Sequence, residues 1–180
     1  MKRLSVFFLT FFLGTGCLLN AQIFNTSSTL KPGDFSLGFE PSVYINGATD
    51  FNLFLHGGAG LTHNIDFGMK LAVMGNNVYL GGDVEFALGK RFSLSAGAHN
   101  WGNFGLDGTA LLTFPLVKPV QLYTGLDADL VFAGDMEFPL WIPLGLQIGL
   151  NKNIVFIFES EICVTSVGSH FLGGGLNFFL

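Results

Sequence analysis

From about residue 33 to the end of the chain, apolar side chains alternate with polar or small ones at a period of two. Phe35, Leu37, Phe39, Pro41 and Val43 interleave with Asp34, Ser36, Gly38, Glu40 and Ser42. Ile65 to Val73 repeats the pattern around Asp66, Gly68, Lys70 and Ala72, and Val120 to Leu130 repeats it around Gln121, Tyr123, Gly125, Asp127 and Asp129. Period two sends successive side chains to opposite faces of a strand. After residue 21 no stretch approaches the ~20 consecutive apolar residues of a membrane helix. The longest run of large apolar residues is Ile154 to Phe158. Yet 49% of the chain is hydrophobic and only 12% is charged, against roughly 25% charged in ordinary soluble domains. Disorder needs the reverse composition and is excluded. The chain is apolar without an apolar helix, and that combination points to strands in lipid.

The alternation divides residues 33–180 into ten segments: 33–44, 51–61, 65–74, 78–88, 92–99, 104–114, 120–132, 138–150, 154–164 and 170–180. Turn residues such as His63-Asn64, Lys90-Arg91, Lys118-Pro119 and Asn151-Lys152-Asn153 separate them. No linker or second domain interrupts the series. The expected fold is all-β, an antiparallel up-and-down transmembrane β-barrel of about ten strands, within a range of eight to twelve.

Sorting each segment by phase sharpens the expectation. The apolar phase holds no Asp, Glu, Lys or Arg; its clearly polar members are Thr124, Ser160 and His170. Ten of the 13 acids fall in the opposite phase, and Asp50, Asp135 and Glu137 fall in connections. A lipid-facing Arg or Lys at mid-depth costs about 2–4 kcal/mol, which accounts for this exclusion. Lys31, Lys90, Arg91, Lys118 and Lys152 gather at one end, the end shared by both termini of an even-stranded barrel. Outward Phe35, Phe67, Phe92, Phe114 and Phe178 lie near that end, and Phe51, Phe104, Phe132 and Phe138 near the other. These sets resemble the aromatic girdles of outer-membrane barrels.

Residues 1–21 read as a secretory signal peptide: basic Met1-Lys2-Arg3, an apolar run from Leu4 to Leu13, and Leu19-Asn20-Ala21 before Gln22. Cleavage is expected near Ala21, the alternative being a lipoprotein start at Cys17. Residues 22–32 form a periplasmic lead-in and residues 33–180 the barrel. Removing the leader leaves six basic residues against 13 acidic and one cysteine, Cys163, so neither a basic nucleic-acid footprint nor an intrachain disulfide is expected.

Leu172, Gly174, Leu176, Phe178 and Leu180 alternate to the chain end, similar to the C-terminal signature by which Gram-negative barrels are recognised for assembly. With this feature, residues 33–180 resemble the small outer-membrane β-barrel proteins of the OmpA/OmpX barrel group, in pattern rather than in matched motif. The resemblance implies residence in the bacterial outer membrane, lipid as surroundings and the barrel-assembly machinery as a partner during biogenesis. It carries no catalytic residue. Connections at the presumed outer end are about three to six residues long, shorter than the group's usual outer loops, which weakens an adhesin or receptor reading.

Any chemistry must then sit inside. The candidate lumen-lining acidic cluster is Glu40, Asp83, Glu85, Asp107, Asp127, Asp129, Glu159 and Glu161, with Lys70 and His56 as basic and polar partners. Counting along the hairpins places Lys70 nearly opposite Asp83, and Asp107 opposite Asp127 with Asp129 diagonal. Carboxylates that close must protonate, face water or share a cation. Two functions compete. One is a structural, envelope role with a closed polar interior filled by Tyr79, Tyr123, Trp141, Phe54, Phe171 and Phe179. The other is a narrow pore or small-solute transporter admitting small cations, since rings of acids select cations. A soluble lipocalin-like barrel would need the apolar phase turned inward. Enzyme activity is not expected. Ser169-His170 resembles the His/Ser pairing of outer-membrane lipid deacylases in two adjacent residues only, and His99 with Asp107 does not complete a protease constellation. Gly173-Gly174-Gly175 precedes no helix and reads as bending or close packing, not a phosphate loop. No cofactor or metal is expected.

Overall fold

The computed structural model describes residues 27–46, 48–75 and 77–180; the expected signal peptide, with Ala21 and Cys17, lies outside the described residues. Strands run in chain order: β1 Phe35–Asn46, β2 Ala48–Gly60, β3 Ile65–Val73, β4 Tyr79–Ala87, β5 Phe92–Asn100, β6 Phe104–Val117, β7 Val120–Phe132, β8 Met136–Glu137, β9 Leu140–Gly149, β10 Ile154–Cys163 and β11 His170–Phe179. Each wall strand pairs antiparallel with its chain neighbour, β7 pairs with β9, and β1 pairs with β11. That last ladder closes the sheet. The result is an all-β, up-and-down antiparallel barrel of ten wall strands, with β8 a two-residue strand folded back on the end of β7.

The exposure pattern is that of a soluble protein turned inside out. Along β1 the large apolar Phe35, Leu37 and Phe39 are exposed, whereas Ser36, Glu40, Ser42 and Tyr44 are buried. The alternation dictates this, because closing the sheet commits one whole phase of every strand to the interior. Outward Leu55, Met69, Leu94, Leu106, Leu126, Leu144 and Phe158 continue the apolar band around the wall.

The first and last strands begin and end at one rim, here called the terminal rim. The exposed Lys31, Lys90, Arg91, Lys118 and Lys152 all lie there. The opposite, far rim differs from expectation at its first connection. Ile45 pairs with Thr49 and Asn46 with Ala48, so the ladder continues to those residues and the expected six-residue loop is absent. β-branched Ile45 and Thr49 suit a strand better than a loop.

Two apolar clusters lie in the interior. Tyr44, Phe54, Ala72, Tyr79, Trp101 and Phe171 occupy the far half. Leu111, Tyr123, Val155 and Ile157, with Phe179 against them, line one side of the terminal half.

Candidate functional site

The inward phase of β1 to β7 and of β10 carries the ionisable side chains. Glu40 on β1 is fully buried, and its Oε2 lies 3.2 Å from Nε2 of His56 on β2. Lys70 on β3 extends to Asp83 on β4, Nζ to Oδ2 3.4 Å. Its ammonium also lies in the field of Asp107, Asp127 and Glu161. Lys70 faces Gly81 across the ladder, so the ion pair is diagonal rather than opposed. Glu85, buried further toward the terminal rim, hydrogen-bonds with Ser93.

The β6–β7 pairing corrects the hairpin count. Asp107 faces Asp129, and Thr109 faces Asp127 and donates its hydroxyl proton to that carboxylate. β6 runs on to Val117 before turning, and a bulge between Pro115 and Val117 shifts the register. One residue in a bulge decides which side chains oppose each other over the rest of a hairpin. Here it keeps the acidic phases of both strands pointing inward together.

Tyr123 on β7 donates its phenolic proton to Glu159 on β10, and Glu161 is fully buried two residues further along the same face. Gly173 on β11 faces inward where Glu40 and Phe171 occupy the space a Cβ would need. The glycine run therefore serves close packing. The expected acids Glu40, Asp83, Glu85, Asp107, Asp127, Asp129, Glu159 and Glu161 thus all project inward, as do Lys70 and His56. They form a chain of local pairs rather than one ring.

Several interior residues escape a reading by strand alone. His99 lies between two carboxylates, Nδ1 3.7 Å from Asp107 and Nε2 3.6 Å from Asp129, with its ring stacked on Tyr79 at 5.4 Å. It stands beneath the far-half aromatics, not at an open rim where a substrate could meet it. Tyr44 and Trp101 complete the aromatic cluster. Trp101 packs edge-on against Tyr44, Tyr79 and Phe54 at 5.0, 5.5 and 5.9 Å. Trp101 sits in a connection, so alternation gives it no phase; only its size signals burial. Ser169 and His170 are occupied structurally. The Ser169 carbonyl accepts from Trp141 Nε1 at 2.8 Å, and His170 Nδ1 accepts from the Cys163 amide at 3.2 Å.

A cavity opens in the terminal half. Its volume of about 270 Å³ is bounded by Ser36, His56, Asp66, Lys70, Asp83, Glu85, Gln147 and Asn177, together with the apolar Leu111, Val155, Ile157 and Phe179. Residues 28–31 cross its mouth. Beyond it, a void of about 10 Å³ among Lys70, His99, Asp107, Asp127 and Asp129 has room for about one water. Among the described residues no group of three or more His, Cys, Asp or Glu side chains is arranged to hold a metal ion.

No protein-family model matches the chain, and no curated protein matches it. Solved structures similar to it include a de novo designed transmembrane β-barrel, 10% identical over 84% of this chain and 99% of that one, with a TM-score of 0.48. Neisserial surface protein A is 12% identical over 81% of this chain and 95% of its own, with a TM-score of 0.41. The outer membrane protein OprG from Pseudomonas aeruginosa is 14% identical over 87% and 99%, with a TM-score of 0.43.

Proposed function

We propose that the chain is an integral outer-membrane β-barrel protein with a structural role in the cell envelope and a closed, acidic polar interior. The carrying observation is the inverted partition: large apolar side chains cover the outer wall, and the interior holds the acids with their partners. An apolar band of this extent in water would be a severe aggregation liability, whereas in a bilayer it is the required surface. The same partition argues against a soluble lipocalin-like barrel. Closure is supported by the aromatic cluster, where rings 5.0–5.9 Å apart fill the far half of the bore.

In this reading the leader is cleaved near Ala21, both termini face the periplasm and the five rim cations meet the inner-leaflet headgroups. The barrel-assembly machinery inserts the chain, and lipid is its lasting partner. Heat-modifiable gel migration tests the barrel: the folded form should migrate differently from the boiled form. Planar-bilayer recording tests closure, with current expected at background. A steady cation-selective current, reduced by Asp127→Asn with Asp129→Asn, would replace this reading with the narrow-pore alternative. That alternative draws support from the acid-walled cavity alone. A protein recovered soluble from the periplasm, without a heat shift, would end both.

A further inference from the structure

The residues before β1 do not trail away from the barrel. Lys31-Pro32-Gly33-Asp34 forms a tight turn in which the Asp34 amide donates to the Lys31 carbonyl at 2.9 Å. Proline at the second position and glycine with φ +84° at the third are the chemistry of a type II turn. This turn reverses the chain and sends it back across the terminal mouth. Backbone bonds between Gly33 and Gly60 and between Gly60 and Asp34, at 3.1 and 2.9 Å, fix its base to β2. The Leu30 amide then donates to Asp66 Oδ2 on β3 at 2.8 Å. The Ser27 amide donates to Thr113 Oγ1 on β6 at 3.0 Å, and Ser27 is itself buried. The segment therefore spans the mouth from β2 to β6.

The wall is shaped to receive it. At Gly60 the Lys31 carbonyl occupies the space a Cβ would need, and at Gly58 a Cβ would meet the Ser36 hydroxyl first, at 2.5 Å, and then a Leu30 methyl at 3.0 Å. Gly60 thus leaves room for the strap's main chain, and Gly58 for the Leu30 side chain beside Ser36. Asp66 and Thr113 are inward polar groups near the rim, each bonded to a strap amide that would otherwise lack a partner inside the mouth.

We propose that residues 27–34 are a built-in strap that closes the terminal mouth of the lumen, and that its release from Asp66 and Thr113 opens the 270 Å³ cavity to small aqueous solutes from that side. The far half is filled by aromatics, so the strap controls the cavity's access to water. Beyond the turn the described bonds are the Ser27 amide on Thr113, the Leu30 amide on Asp66 and a long contact of 3.4 Å from the exposed Thr29 hydroxyl to the His63 carbonyl, whereas the base is tied into the β2 ladder. Release is therefore a hinge at the Lys31–Asp34 turn with the barrel left intact.

The test uses the full chain folded in detergent micelles, with Cys17 and Cys163 changed to Ala and one thiol placed on the cavity wall by Ser95→Cys. A small charged methanethiosulfonate is the probe. Folding of every variant is checked by the heat shift in migration. With the strap seated, labelling should be slow and the Leu30 amide protected from hydrogen exchange. Asp66→Ala with Thr113→Val should raise the labelling rate at least about tenfold and abolish that protection, and Thr113→Val alone should give an intermediate rate if the double variant does not fold. Equal fast labelling in parent and variant, or an unprotected Leu30 amide in the parent, overturns the strap. Slow labelling that persists when the variant's strap amides exchange freely also overturns it, because something else then closes the cavity.

Discussion

Lys70 is an ammonium group set among acids, 3.4 Å from Asp83 and within the field of Asp107, Asp127 and Glu161. Both members of the ion pair keep 15% of their side-chain surface, so the pair is buried but not dry. Removing one partner of a buried pair costs about 3–5 kcal/mol, because the remaining charge is left uncompensated. The partial exposure places Lys70→Met near the low end, about 3 kcal/mol. Adding Asp83→Asn should restore most of that loss, since the stranded charge goes with it. Trp101 and Trp141 are buried and give an intrinsic fluorescence signal for urea unfolding in micelles. A Lys70→Met loss below about 1 kcal/mol, or no recovery in the double variant, would show that Lys70 does not organise the interior. Tyr123 shows a second residue-scale device: a neutral hydroxyl donated to Glu159 provides for a carboxylate with no basic residue near it in sequence.

Strands are the level at which this chain is most legible. Period-two alternation fixes both the existence of each wall strand and the face it turns to lipid, so β1 to β7 and β9 to β11 follow from the sequence within a few residues. Registry follows less completely. The bulge between Pro115 and Val117 has no signature in a hydrophobic pattern, and together with the turn after Val117 it sets Asp107 against Asp129. The strap is less legible still, because Ser27-Ser28-Thr29-Leu30 has no period; its one local signal is Pro32-Gly33. Trp101, and the second carboxylate that His99 meets, are illegible for a related reason. A connection has no phase, and a strand end reveals nothing of what lies across a bore. The lipid-facing assignment has a sharp consequence along β6 and β7. Leu126 lies mid-strand on the outer wall, 53% exposed, whereas Leu116 lies at the terminal rim, 55% exposed. Equal exposure would predict equal tolerance in water. In a bilayer, Leu126→Arg should destabilise the folded barrel by about 2–4 kcal/mol and Leu116→Arg by about 0–1 kcal/mol. Equilibrium unfolding in phospholipid vesicles measures both, and equal costs would contradict the membrane-spanning orientation.

Across the whole molecule, the proposed closure gives the lumen two seals in series, of different chemistry. The far seal is a packed cluster of rings that contributes to folding stability; the terminal seal is a short strap with polar anchors. Between them lies an interior in which acids outnumber the ammonium of Lys70. A path through the barrel needs both seals open. Tyr44→Ala with Trp101→Ala should leave planar-bilayer current at background, because the strap still crosses the mouth. Asp66→Ala with Thr113→Val should also leave it at background, because Phe54, Tyr79 and the other rings still fill the bore. All four changes together should produce a current, and that current should favour cations, since the acids set the field along the whole path. Truncating a buried aromatic costs about 3–5 kcal/mol, so the heat shift in migration must confirm that each variant is folded before its current is read. Current from the ring variant alone would remove the strap from the permeation path. Current from the strap variant alone would mean the aromatics do not close the far half. Anion preference in the fourfold variant would show that the acids do not govern the lumen.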